Sequence, residues 1–260
     1  LRRVLQRRGS FPDDVRSAAW RFLMRLPANE AAARDLLAAG THPAASAALK
    51  RFPVRDVRAA RRLGRLVSCL AHWCPAVGCC PFLPMLVYPL LSVFGPGQDI
   101  AALEAALFLF FNPARRWLQL FPHPPAPTLA ATHTALALTD PELATALDEA
   151  NISPTTAIWP LLRSLFSEIL PRPQWMALWD NIIASYPQEP NLILACAVAL
   201  LRYHRSSILR ILQSPSSSHH RSSKAAISDF LRSHQPTNVR DLLSLTRITL
   251  SAVPSSLWNA

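Results

Sequence analysis

The chain has 260 residues, half of them hydrophobic, with a net charge of +11 and only six glycines. This composition excludes an intrinsically disordered protein and supplies enough apolar residues for one large domain or two small ones. Nearly all the positive charge is arginine, since the only lysines are Lys50 and Lys224. The charge is therefore as consistent with a composition bias as with an anionic partner.

The predicted secondary structure is helical throughout, because apolar residues recur every three or four positions and no alternating strand pattern occurs. A helix predicted at 13–25 follows Pro12, and its predicted buried face consists of Val15, Ala19, Phe22, Leu23 and Leu26. Further helices are predicted at 30–38, 54–73, 83–94, 99–120, 128–137, 141–150, 154–169, 173–185, 191–212, 225–232 and 237–253. The expected fold class is all-α, with two packed helical subdomains.

Prolines separate the predicted helices and mark the subdomain boundary. The segment FPHPPAP at 121–127 predicts a rigid extended connector between an amino-terminal subdomain at 11–120 and a carboxy-terminal subdomain at 128–254. A serine-rich segment at 214–224 predicts a flexible loop. Because the first residue is Leu1 rather than Met, we expect a fragment of a longer chain.

An uncharged stretch between Arg65 and Asp99 is long enough to suggest a membrane span on hydropathy alone. Its helix-breaking residues argue instead for two short buried helices joined by a turn. These residues are Pro75, Gly78, Pro81, Pro84 and Pro89. No transmembrane span is therefore expected, and a membrane-embedded helical protein remains an alternative.

Five cysteines, an odd number, favour a reduced cytoplasmic protein over a disulfide-bonded one. Four of them lie between Cys69 and Cys80 without the paired spacing of zinc sites, so we expect buried apolar cysteines and no metal site. No glycine-rich phosphate loop or other cofactor motif occurs in the sequence, and no cofactor is expected.

The segment at 159–187 carries the most specific pattern in the chain. It reads WPLLRSLFSEILPRPQWMALWDNIIASYP, in which Trp175, Leu178, Trp179 and Ile182 share one predicted buried helix face. The segment resembles the late signature of the TBC-domain family, the all-helical GTPase-activating modules that act on Rab-type small GTPases. FPDDVRSAAWRFLMRLP at 11–27 is similar to that family's opening motif, with Pro12, Arg16 and Trp20 at the family's spacing.

The resemblance implies two catalytic positions in the amino-terminal half. KRFP at 50–53 stands where the family has Arg-Thr-Phe-Pro, which places Lys50 at the arginine-finger position and Arg51 one residue along. GCCPFLP at 78–84 stands where the family has Gly-Tyr-Cys-Gln-Gly-Met-Asn, which places Pro81 at the glutamine-finger position. Proline has no amide to orient water, and lysine lacks the forked geometry of arginine.

We therefore expect a TBC domain without GTPase-activating chemistry, which serves as a protein-interaction scaffold or binds a Rab-type GTPase. The alternative within the family is an active domain that uses Arg51 as a displaced arginine finger. The order of the motifs is similar to the WD-repeat-bearing branch of TBC proteins. That resemblance implies a location at the centrosome, the centriolar satellites or the cilium base.

An arginine-rich segment begins at the candidate arginine finger. Arg51, Arg55, Arg58, Arg62 and Arg65 recur every three or four residues and predict one basic helix face. We expect this face to contact an acidic protein surface. The predicted partner-binding residues are Arg51, Arg55, Arg58 and Asp180, and Asp180 is also expected to support the fold near the binding groove. Nucleic acid is a weaker alternative, because no aromatic residues alternate with the arginines.

Overall fold

The structure is a computed structural model that describes residues 1–118, 120–213, 223–234 and 238–258. Within these ranges the chain forms α-helices and one 3-10 helix at Arg115–Leu118, with no β-strand, so the all-α prediction is confirmed. The helices are α1 Arg2–Arg8, α2 Asp13–Met24, α3 Glu30–Ala38, α4 Pro43–Arg51, α5 Val57–Trp73, α6 Pro75–Gly78, α7 Leu83–Val87, α8 Leu90–Val93, α9 Asp99–Phe111, α10 Ala126–Thr139, α11 Pro141–Glu149, α12 Pro154–Ala157, α13 Trp159–Arg163, α14 Arg172–Ser185, α15 Leu192–Tyr203, α16 Arg205–Gln213, α17 Ser223–Ser233, α18 Val239–Ala252 and α19 Ser255–Trp258.

Two compact units divide the chain between them. Unit 1 comprises Leu1–Pro122 together with Trp179–Ala184, and unit 2 comprises His123–Leu178 together with Ser185–Ala260. Helix α14 therefore contributes residues to both units. Helix α10 begins at Ala126, inside the predicted connector 121–127. Pro127 lies in its first turn, where a proline is tolerated because the backbone N–H groups of that turn have no partner within the helix. Most of the predicted loop 214–224 lies outside the described residues, and its last two residues begin α17.

Side-chain caps set several helix ends that the apolar pattern placed elsewhere. Helix α5 begins at Val57 rather than 54, because the Asp56 carboxylate accepts the backbone N–H of Arg58 at 2.9 Å. Helix α4 was missing from the prediction, although Pro43 lies in its first turn and the His42 ring caps it. Caps of this kind satisfy backbone donors that have no partner within the helix.

Several long predicted helices are divided into shorter ones. The predicted helix 83–94 breaks into α7 and α8 around Pro89, because proline removes a backbone donor. The predicted helix 154–169 becomes α12 and α13, followed by Leu165 and Phe166 in left-handed backbone conformations with φ of 51° and 65°. The predicted helix 191–212 divides at His204 into α15 and α16. The apolar periodicity continues across each break, so the pattern alone predicts one long helix where the structure has two.

The buried face of α2 differs from the predicted one. Phe22 is 76% exposed and Val15 is 43% exposed, whereas Arg16, Trp20 and Met24 are buried. The helix is therefore rotated so that a polar side chain lies inside unit 1. The predicted face of α14 is confirmed, since Trp175, Leu178, Trp179 and Ile182 are all buried.

No single helix in the described ranges is both long enough and apolar enough to cross a membrane. One bent pair, Leu192–Tyr203 with Arg205–Gln213, reaches the required length and composition only when taken together, with a 58° bend between its helices. Every residue from Leu192 to Leu201 is buried within the protein, as in the core helix of a helical domain.

Candidate functional site

The candidate arginine-finger residues lie at the carboxy-terminal end of α4. Lys50 and Arg51 occupy its last turn, and both are exposed. Cations are favoured at this end of a helix, where the backbone carbonyls carry partial negative charge. The next residue, Phe52, is half-buried and makes an edge-to-face contact with Tyr88 at a centroid separation of 5.6 Å. This contact fixes the end of α4 against the residue that follows α7.

The turn that carries Pro81 follows Gly78, which lies close to α4 and α5. A Cβ atom at Gly78 would lie 2.7 Å from the Cβ of Ala71 in α5 and 3.6 Å from the Cβ of Ala44 in α4. Glycine therefore allows α6 to approach both helices closely. Pro81 is exposed, between buried Cys80 and buried Phe82. Helices α4 to α7 thus support both candidate finger positions within unit 1.

The turn at residues 79–84 carries no side-chain amide. In unit 1, each amide whose side chain is described has a hydrogen-bond partner elsewhere. The Asn29 side chain accepts from Ala32 N, Gln98 accepts from Ser17 Oγ, Asn112 donates to the Phe108 carbonyl and Asn181 donates to the Gly9 carbonyl. Every one of these amides serves the fold, and none belongs to residues 79–84.

The predicted single arginine face is wrong in its arrangement. Arg51 lies in α4 and Arg55 in the connection, so only Arg58, Arg62 and Arg65 share α5. The last two of these are structural: both guanidinium groups bind the Asp99 carboxylate, and Arg62 also donates to the carbonyls of Phe94 and Gly95 at 3.0 and 2.9 Å. Arg51, Arg55 and Arg58 are exposed.

Asp180, which the sequence placed among the partner contacts, is the centre of a buried network in unit 1. Its carboxylate is fully buried and accepts hydrogen bonds from Phe11 N at 2.8 Å, Trp20 Nε1 at 2.7 Å and Arg16 Nε at 3.2 Å. Arg16 also donates to the Phe11 carbonyl at 2.5 Å and pairs with Asp13. A partner protein has no access to Asp180 in this structure, so its role is to fix α2 and the preceding segment on α14.

Burial raises the pKa of the Asp180 carboxyl, while hydrogen bonds from Trp20 and Phe11 and the charge of Arg16 oppose that shift. The sequence predicted a fold-supporting role for Asp180 but not its hydrogen-bond partners, although a signal for them was present. Arg16 and Trp20 are four residues apart and so lie on one face of α2.

The cysteine cluster has the environment of buried apolar residues at two of its positions. Burial raises the pKa of the Cys69 thiol to about 11 and that of the Cys80 thiol to about 12. Cys79 is exposed and Cys74 is half-buried, and both are free thiols. Across the described residues, no three His, Cys, Asp or Glu side chains lie close enough to hold a metal ion.

Comparison with known proteins identifies the architecture. The family model for the Rab-GTPase-TBC domain matches residues 41–209. TBC1 domain family member 31 of Mus musculus is 34% identical over 209 residues, which are 80% of this chain and 21% of that protein. The protein of the same name in Homo sapiens is 35% identical over 187 residues, or 72% of this chain and 17% of that protein. The chain thus spans about a fifth of the length of these curated relatives.

A solved structure agrees with the same architecture. The crystal structure of the Chlamydomonas flagellar RabGAP TBC domain superposes with a TM-score of 0.66, covering 92% of this chain and 80% of that one at 15% sequence identity. This similarity concerns the fold. The match to the family model covers well over half of the chain. The chain therefore belongs to the Rab-GTPase-TBC domain family.

Proposed function

We propose that this TBC domain binds a Rab-type small GTPase as an interaction module and does not accelerate GTP hydrolysis. Pro81 is the observation that carries this proposal. Acceleration requires a group that aligns the attacking water, and an exposed proline offers neither a donor nor an acceptor in its side chain. The described side-chain amides of unit 1 form hydrogen bonds within the fold, which supports the absence of a substitute for the glutamine finger.

The lysine at the candidate arginine-finger position favours GTPase binding over catalysis. Lys50 supplies a charge, but it cannot make the paired contacts that a guanidinium makes to phosphate oxygens. An arginine finger is worth about 10³ to 10⁵ in turnover, so its replacement by lysine removes most of that gain. We propose that Lys50, Arg51 and neighbouring Arg55 contact the GTPase as exposed charges.

The second candidate function is an active domain in which Arg51 acts as a displaced arginine finger. The exposure of Arg51 in the last turn of α4 favours this candidate, because its side chain is not held by the fold. Such a domain would rely on the glutamine of the GTPase to align the water. A glutamine-substituted GTPase would then lose all acceleration.

A panel of Rab-type GTPases, each loaded with GTP or GDP, tests the proposal through binding affinity. We expect at least one GTPase to bind the domain in a nucleotide-dependent manner, and Arg51→Glu to weaken that complex by about tenfold or more. Arg34→Glu is the matched control, since Arg34 is an exposed arginine of unit 1 whose partner is Glu30. An absence of binding across the panel would contradict the proposal.

We also propose a cytoplasmic location at the centrosome, the centriolar satellites or the cilium base. The support for it is the motif order shared with the WD-repeat-bearing branch of the family. Imaging of the tagged chain in ciliated cells beside a centriole marker tests this location. A uniform cytoplasmic distribution, unchanged through ciliation, would contradict it.

A further inference from the structure

The end of α4, the following connection and the start of α5 carry a dense group of exposed cations. Five exposed basic residues lie between positions 50 and 61, and we call them the α4–α5 basic surface: Lys50, Arg51, Arg55, Arg58 and Arg61. The acidic residue among them, Asp56, caps α5 through the backbone N–H of Arg58. In the ranges that the structure describes, none of the five basic side chains forms an ion pair or a hydrogen bond.

The neighbouring Arg62 and Arg65 have a structural role, whereas the five residues of the α4–α5 basic surface have none in the described ranges. Arg62 and Arg65 bind Asp99, and Arg62 also binds two backbone carbonyls, so both stabilise the packing of α5. By contrast, Arg58 and Arg61 lie near the amino terminus of α5, whose first turn has no acidic residue. Cations are disfavoured at that end of a helix, since the free backbone N–H groups carry partial positive charge. The surface therefore works against the local stability of α5.

The apolar residues within the surface indicate the class of partner. Val57 is 61% exposed between Arg55 and Arg58, and Pro53 is exposed as well. The aromatic residue of this segment, Phe52, is turned onto Tyr88. Protein interfaces are usually anchored by exposed aromatic residues, and single-stranded nucleic acids are bound by stacking on them. Arginines that surround a small aliphatic side chain instead suit the headgroup region of a bilayer.

We propose that the α4–α5 basic surface docks this domain onto an anionic lipid bilayer. Its guanidinium and ammonium groups bind lipid phosphates and carboxylates, and Val57 enters the interfacial layer. The contact is electrostatic and reversible, because one exposed valine adds little apolar burial. Lys50, Arg51 and Arg55 are shared with the proposed GTPase contact. Arg58 and Arg61 lie outside that contact, so replacing these two residues separates bilayer docking from GTPase recognition.

Vesicle co-sedimentation of the 260-residue chain tests the proposal. The vesicles are phosphatidylcholine with about one third phosphatidylserine, or phosphatidylcholine alone, at an ionic strength of about 0.1 M. We expect sedimentation with the anionic vesicles only. Replacing both Arg58 and Arg61 by glutamate should lower the partition coefficient by at least about 30-fold. Replacing both residues by glutamine should also lower it.

A matched control separates the surface from net charge. Arg3 and Arg7 are exposed on α1, and their replacement by glutamate changes the charge of the chain by the same amount. This pair should leave the partition coefficient within about threefold of the wild type. Raising the salt concentration to about 1 M should release the wild type, since the screening length falls to about 3 Å.

Several outcomes overturn the proposal. Equal binding to neutral and anionic vesicles would do so. Equal losses of vesicle binding in the Arg3/Arg7 and the Arg58/Arg61 glutamate variants would also overturn it. Binding of duplex DNA or of a GTPase that depends on Arg58 and Arg61, without vesicle binding, would assign the surface to another macromolecule. A chain that binds anionic vesicles but no GTPase would retain this inference and reject the proposed function.

Discussion

Replacing Asp180 by alanine tests the buried network that links α2 to α14 in unit 1. The substitution removes the acceptor of the hydrogen bonds from Phe11 N and Trp20 Nε1, and it removes one of the two carboxylate partners of buried Arg16, which keeps Asp13. Breaking a buried ion pair from one side costs about 3–5 kcal/mol. We expect a loss of that size in the free energy of unfolding, against a total of about 5–15 kcal/mol for a typical domain.

Urea unfolding followed by tryptophan fluorescence measures the loss, since Trp20 belongs to the network. Asp35→Ala is the control, because Asp35 is exposed on α3, and it should change the free energy of unfolding by less than about 0.5 kcal/mol. With Arg16→Met as the second substitution, a double-mutant cycle should show coupling of at least about 1 kcal/mol. A loss below about 1 kcal/mol for Asp180→Ala would refute the structural role assigned to this carboxylate.

Three further predictions concern packing, pH and thiol reactivity. Gly78→Ala places a Cβ 2.7 Å from a side-chain carbon of α5 and should cost about 1–3 kcal/mol in chemical unfolding, whereas Gly95→Ala meets open space and should cost much less. Burial, with a smaller effect of the nearby His234 charge, lowers the pKa of folded His204 below the unfolded-state value of about 6.5. The stability that neutral His204 contributes is therefore complete above the unfolded-state pKa and is lost as pH falls from there through the lower folded-state pKa. The drop in melting temperature between about pH 7.5 and pH 5.5 should therefore shrink in His204→Phe, and an unchanged drop would contradict this. Exposed Cys79 should react with a thiol reagent in the native protein, whereas Cys196, whose pKa burial raises to about 12, should react only after unfolding.

The helical fold could be predicted from the sequence because apolar periodicity and proline positions are local signals. The α3 boundaries and the buried face of α14 follow directly from that pattern. Breaks such as the one at His204 could not be predicted, since the apolar residues keep the same period across it. Periodicity indicates which residues are buried, but it does not show where one helix axis ends and the next begins.

The orientation of α2 required tertiary information. The apolar pattern placed Phe22 inside, whereas the structure buries Arg16 and Trp20 because both bind the Asp180 carboxylate. Asp180 lies more than 150 residues away in sequence, so the local pattern does not reveal this contact. The same limit applies to the arginines after Arg51. Sequence spacing grouped them on one face, and only the positions of Asp99 and the α5 cap separate structural from exposed arginines.

Single-turnover phosphate release from a GTP-loaded Rab-type GTPase that binds the domain tests most directly whether the domain lacks GTPase-activating chemistry. With the domain in excess, we expect release at the intrinsic rate of the GTPase, because the side chain of Pro81 has no group that can align the water. Acceleration of about 10³-fold or more that Arg51→Ala abolishes would refute the proposed function and establish Arg51 as a working arginine finger.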